Sequence, residues 1–369
     1  MHNFFYEGEI TMNTLTEDSS ILKVVLIGAG VSIIIFAMKL SAPILSSFLL
    51  AGVIGITVLP ATRWLIHKGV ATWLALLITI GLIFLGVLAL IAVIAISILN
   101  MVETLPQYQS NLQGLLDTAA TGLGSIGLQQ TDLESAIAEI DTGRVMGFVG
   151  SFLGGIMSSL SNLLVMLMVL IFFVLGAPLL STKIQENYPS DNPIFSRFRN
   201  LIHDLQQYVS ITTWINFLVG LVNTIFLMII GIDFAVLWGV LSFLTGYIPN
   251  IGFWIAAIPP VLLALLQYGI GKALIVLVGF IVINGVVGFL QPKMMGQGLN
   301  LSVLVVTVSL FFWGWVLGPM GAILAIPLTM IVKEVFLDSY DDTRWLADLM
   351  GGADPSTENS APGVPASKR

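Results

Sequence analysis

Cysteine is absent from the 369-residue chain, so no disulfide, thiolate metal site, cysteine nucleophile or iron–sulfur cluster can be built from it. Charge is scarce as well: 9% of residues are Asp, Glu, Lys or Arg, against roughly 25% in soluble domains. A soluble chain of this length must cover its surface with charge, whereas a chain solvated by lipid needs charge only at its ends and loops. The 14 Lys and Arg are scattered and outnumbered by 21 Asp and Glu, for a formal net charge of -7. Phosphate binding needs clustered cations, so nucleic acid is excluded as a partner. The three histidines, His2, His67 and His203, lie outside the apolar runs, and no HExxH, Walker A, GxSxG or EF-hand pattern occurs. The chain is therefore not expected to be an enzyme, and neither a metal nor a cofactor is expected.

What remains is 57% hydrophobic, arranged in repeated apolar runs from Ile21 to Lys333 that approach or exceed the roughly 18 residues marking a candidate span. The pattern predicts an all-α, polytopic helical membrane protein, surrounded by lipid, with about six to eight transmembrane helices. Residues 1–20 carry Glu7, Glu9, Glu17 and Asp18 and no Lys or Arg, so they lack the basic n-region of a secretory signal, and Met1 and Met12 both offer a start. Three spans follow over 21–99: Ile21–Met38, Ser41–Leu59 and Ala71–Leu99. Pro60 is expected to end the second, because its ring cannot continue the hydrogen-bond ladder. Arg63, His67 and Lys68 mark the next loop as cytoplasmic, which puts the N-terminus in the cytoplasm two crossings earlier.

Residues 100–144 form an acidic, hydrophilic insert outside the membrane, where Leu133, Ile137 and Ile140 recur at helical spacing and predict short amphipathic helices. The fourth span, 145–178, carries small residues at Gly147, Ser151, Gly154, Ser158 and Ser161. Such a flat face suits close helix packing, within one chain or between copies. A basic cytoplasmic linker, 179–210, ends in an amphipathic stretch, Phe198–Tyr208, expected along the inner surface.

The transport core is assigned to 211–337. In its first span Thr213, Asn216, Gly220 and Asn223 recur every three or four residues and share one helix face. An amide in lipid costs several kcal/mol unless it is hydrogen-bonded or wet, so this face should look inward. Two later apolar runs are interrupted, one at Thr245–Gly252, with Gly246, Tyr247, Pro249, Asn250 and Gly252, the other at Trp313–Gly321, with Gly314 and Gly318. Re-entrant or broken helical hairpins fit these breaks; ordinary turns between short crossing helices are the alternative. Paired interruptions point to a substrate route, because irregular backbone at membrane depth is tolerated only when packed in protein or lining a cavity. Between the breaks a span over Ala273–Leu290 carries Asn284 and ends at Pro292, followed by Gly296. Residues 338–369 read as a cytoplasmic, disordered tail.

Three stretches, GYIPNIGFWIAAIPP (Gly246–Pro260), QPKMMGQGLNLS (Gln291–Ser302) and FFWGWVLGPMGAILAIPLT (Phe311–Thr329), resemble in order and spacing the autoinducer-2 exporter family of PerM-like permeases. The resemblance implies a multi-pass transporter of the bacterial inner membrane. It also implies a homo-oligomer, with a pentamer as the subunit number to test. Gly246, Pro249, Gly252, Pro292, Gly296, Trp313, Gly314, Gly318 and Gly321 carry over as motif positions that shape the broken helices. The leading expectation is a permease for a small polar solute, an autoinducer-2-like signal of quorum sensing first among them, along Thr213, Asn216, Asn223, Tyr247, Asn250 and Asn284. Sodium or lithium/proton antiport, with a monovalent cation coupled through Asp233, Asp204 or Glu334, is the rival. A third reading is an oligomeric scaffold whose insert binds a partner.

Overall fold

The computed structural model describes residues 22, 25–124, 147, 150–151, 154–155, 165–176, 193–295, 301–337 and 349–351. Among them every regular element is helical. In chain order these are α1 (Val25–Leu40), α2 (Ala42–His67), α3 (Thr72–Gly124), α4 (Val165–Gly176), α5 (Pro193–Ile230), α6 (Ala235–Thr245), α7 (Gly252–Tyr268), α8 (Ile270–Met295), α9 (Val303–Leu317), α10 (Pro319–Ile323) and α11 (Ala325–Val332), then a π-helical turn, Lys333–Leu337. Helices α2, α3, α5 and α8 are each long and apolar enough to cross a membrane. The chain is a polytopic helical membrane protein. Leu133, Ile137, Ile140, Ser158, Ser161, Gly296 and most of the tail lie outside the described residues.

Several expected boundaries move. Pro60 does not end the second span; α2 runs through it to His67. Proline has no N–H, so the carbonyl of Ile56, four residues earlier, loses its intrahelical donor. Gln206 Nε2 on α5 donates to that carbonyl at 2.7 Å, and the helix continues because a neighbouring helix supplies the missing bond. Likewise α8 extends past Pro292 to Met295, the proline falling in its last turn, where one forfeited ladder bond matters least.

The third span does not stop at Leu99. Helix α3 has 53 residues, about 80 Å against a hydrocarbon core of about 30 Å, so the first part of the insert, through Gly124, is an extension of this helix rather than a set of short ones. Phe198–Tyr208 also proves continuous with the next span. No Gly or Pro separates them, and Leu201, Leu205, Tyr208 and Val209 are buried against Trp313, Val316, Leu324 and Leu328 rather than lying along a surface.

Three apolar clusters hold the chain together. One joins Ile94, Ile98 and Met101 of α3 to Leu227, Trp238, Leu263 and Phe280. The second packs the start of α5 on α9, α10 and α11, with Val53 of α2. The third pairs Ala51 with Leu167, Leu170 and Val174 of α4. Helix α5 contributes to the first cluster near its end and to the second near its start. Between the two lies its polar middle, Thr212 to Asn223.

The first interruption is a helical hairpin. With 11 residues, α6 reaches about 16 Å and cannot cross alone. The two ends of the α6/α7 pair meet: Tyr268 Oη donates to the carbonyl of Gly231 at 2.8 Å, and Lys272 Nζ to that of Ile230 at 3.3 Å. The second interruption lies at Gly318, with φ of 72°, so that Trp313 and Gly314 remain helical in α9. Trp313 Nε1 bonds Thr329 Oγ1 of α11 at 3.1 Å across the bend.

Candidate functional site

Helix α5 lies against α6 at a crossing of two glycines. A Cβ on Gly220 would stand 2.7 Å from the Gly239 carbonyl, and one on Gly239 would overlap Thr224 Oγ1. This close approach brings the polar middle of α5 against α6 and the hairpin tip. Asn223, fully buried, donates through Nδ2 to Ser242 Oγ at 3.1 Å, and Ser242 Oγ donates to the Trp238 carbonyl at 2.8 Å. At the tip, Tyr247 Oη donates to Thr213 Oγ1 at 2.8 Å, while Thr213 bonds back to the Val209 carbonyl. Asn216 is seated against Gly246, where a Cβ would stand 2.5 Å from its Oδ1.

The tip itself, residues 246–251, is held by three backbone bonds: Ile248 N to the Thr245 carbonyl at 2.8 Å, Ile251 N to that of Pro249 at 2.6 Å, and Gly252 N to that of Ile248 at 3.0 Å. Asn250 adopts φ of 61° and is exposed at the turn. A Cβ on Gly252 would overlap the Thr245 carbonyl, so only glycine lets the chain double back here.

Three polar atoms on the inward face of α5, Thr212 Oγ1, Asn216 Nδ2 and Asn223 Oδ1, are buried and make no hydrogen bond of good geometry among the described residues, although the Tyr208 hydroxyl interacts with Thr212. Their residues retain 1%, 6% and 0% of their exposure. Leaving such an atom unpaired costs about 1–3 kcal/mol, and native interiors keep very few of them. All three sit on one helix, over three turns, facing the interior. Together they offer a donor, an acceptor and a hydroxyl that can do both.

The other singled-out residues lie elsewhere. Asn284 turns its amide onto the carbonyl of Phe280 in its own helix at 2.9 Å. Asp233 stands at the base of the hairpin, accepting from Tyr108 Oη at 2.8 Å and from Gln267 Nε2; Trp238 Nε1 closes on the Asp233 carbonyl at 3.0 Å. Tyr108 belongs to the extension of α3 beyond the span, and burial, reinforced by its bond to Asp233, raises its phenol above the ordinary value near 10. Asp204 is on the surface beside His203 at 3.5 Å, and Glu334 belongs to the π-helical turn. Gly147 and Gly154 of the small-residue row are exposed, and a Cβ at either meets open space. Among the described residues no three His, Asp or Glu gather as a metal site would require. Reasoning from the sequence missed Thr212 and Ser242; Thr212 stands four residues before Asn216, and that spacing alone would have found it.

The family model described as AI-2E family transporter matches residues 25–341, which include every element from α1 through α11. The chain belongs to the AI-2E transporter family. It is similar to "AI-2 transport protein TqsA" of Escherichia coli (strain K12), 33% identical over 313 residues, covering 85% of this chain and 91% of that protein. It is also similar to a "Putative transport protein" of Haemophilus influenzae, 37% identical over 331 residues, covering 88% and 94%, and to "Putative transport protein YhhT" of Escherichia coli (strain K12), 28% identical over 347 residues, covering 94% and 99%. As a member of the AI-2E transporter family, it is a membrane transport protein, and the contact between α5 and the α6/α7 hairpin lies wholly within the matched region.

Proposed function

We propose that this chain is a permease of the bacterial inner membrane that moves a small polar solute between α5 and the tip of the α6/α7 hairpin. The observation that carries this reading is the row Thr212, Asn216 and Asn223, whose unpaired buried atoms call for a hydrogen-bonding guest. A polyhydroxylated, autoinducer-2-like signal is the first solute to test, since one relative bears the name of an AI-2 transport protein. This contact holds no carboxylate among the residues described above, and Asp233 is engaged with Tyr108 and Gln267; neutral solute transport therefore suits it better than cation/proton antiport. Arg63, His67 and Lys68 at the end of α2 support a cytoplasmic position for that end by the positive-inside rule, and our reading keeps both termini on the same side. The exposed glycines of residues 147–155 offer a face on which copies of the chain could assemble.

The experiment is reconstitution of the purified chain in liposomes, with autoinducer-2 efflux and sodium-driven proton movement read side by side through an internal pH dye. The permease reading expects solute flux that Asn216→Leu abolishes and no sodium-dependent pH change. A pH change lost in Asp233→Asn would replace it with antiport.

A further inference from the structure

On its lipid side the helix pair α5 and α8 leaves an apolar groove of about 550 Å³. Gly279 has no side chain to fill it, so the Phe226 ring forms its floor, and Ile275, Val278 and Val282 stand along its wall more than half exposed or nearly so. The groove follows α8 from Leu274 to Ile283, a rise of about 14 Å, close to half of a hydrocarbon core of about 30 Å. Its length is thus that of one leaflet.

A cation stands just beyond its Leu274 end. Lys272 lies one turn before Ile275 and two before Gly279, on the same helix face. Lys272 Nζ reaches across to the carbonyl of Ile230, four residues on from Phe226 in α5, so the ammonium closes the end of the groove between the same two helices. It lies 3.4 Å above the Tyr268 ring. One of its three N–H bonds goes to Ile230, and no carboxylate among the described residues pairs with it. A lysine at a membrane interface with donors to spare is matched by a phosphate.

We propose that this groove is a binding site for one anionic phospholipid, an acyl chain lying over Gly279 against Phe226 and the headgroup phosphate on Lys272. Its residues are distinct from Thr212, Asn216 and Asn223, and the proposal holds whatever solute the protein carries.

The test is native mass spectrometry of the full chain released from mixed micelles containing equal phosphatidylglycerol and phosphatidylcholine, with folding of each variant checked by circular dichroism and elution profile. The wild type should retain phosphatidylglycerol over phosphatidylcholine by about fivefold, the preference one lysine near an anionic headgroup supports. Lys272→Ala should remove the preference, Lys272→Arg should keep it, and Val278→Trp, which fills the groove, should release both lipids. Lys68→Ala, at a distant lysine stacked on Trp64, should behave as the wild type. An undiminished preference in Lys272→Ala, or lipid retained in Val278→Trp, overturns the proposal. So does a loss of oligomer mass in Val278→Trp, which would make a second copy of the chain the occupant. Should Val278→Trp fail to fold, the Ala and Arg variants at Lys272 decide.

Discussion

Helices α3 and α5 both exceed the length of a bilayer crossing, yet they divide burial in opposite ways. The apolar window of α3 is the more hydrophobic of the two and is 11% buried; that of α5, with its Thr and Asn residues, is 33% buried. In water the greasier helix would be inside. In lipid there is little hydrophobic force between helices, so burial goes instead to the helix that has small residues for close approach and polar groups to hide. Helix α3 meets the first cluster through Ile94, Ile98 and Met101 and the third through Leu76, Ile80, Ile83 and Val87, while Leu77, Leu82, Leu85 and Ile96 face outward. Helix α5 carries the glycine crossing, the proline repair at Ile56 and the unpaired atoms of its inward face.

The sharpest way to break this contrast is at the hairpin tip that α5 holds. Gly252→Ala forces a methyl group into the Thr245 carbonyl and should cost about 3 kcal/mol or more, read as loss of a monodisperse peak and of thermal stability in detergent. Asn216→Leu sharpens it from the other side. It removes an unpaired amide from a buried position, so stability should hold or rise, while solute flux in liposomes falls at least about tenfold. A parallel loss of stability and flux would make Asn216 a packing residue.

Gln206→Leu comes next. It strands the Ile56 carbonyl and should cost about 1–2 kcal/mol, and Pro60→Ala, which restores an intrahelical donor to that carbonyl, should recover most of it; a thermal-unfolding double-mutant cycle measures the coupling. Tyr108→Phe removes the bond to Asp233 and should cost about 1 kcal/mol. Because the folded phenol titrates above its ordinary value, its contribution is fully present below about pH 10 and is lost as pH rises through the folded value. A stability difference between wild type and variant should therefore shrink only in the alkaline range. Smallest of all, Leu85→Ala on the exposed face of α3 should change stability by less than about 0.5 kcal/mol, since the side chain exchanges one apolar neighbour, lipid, for another.

The two breaks and the polar row were readable because each rests on local chemistry. Gly246, Pro249 and Gly252 disfavour a straight helix in any surroundings, and Thr213, Asn216 and Asn223 share a face by spacing alone. Pro60 shows where such reading fails. Its missing N–H is a local fact, but whether the helix stops depends on a donor 146 positions later in the chain, Gln206. The surroundings of Asp233 were likewise out of reach of local reading: the folded chain brings Tyr108 and Gln267 onto it from 125 and 34 positions away.

By itself the sequence determined that this protein resides in lipid, that it is helical, that its carboxy-terminal half is interrupted twice, and which helix carries a polar stripe. These follow from composition, period and the backbone limits of glycine and proline. Only the tertiary structure decided that the first interruption is a hairpin returning to its starting level, that α2 passes through its proline, and that Asn216 meets Gly246 while Asn284 turns back on its own helix. Each of these depends on which distant residue supplies a hydrogen bond or leaves room for one, and that is settled by packing rather than by spacing along the chain.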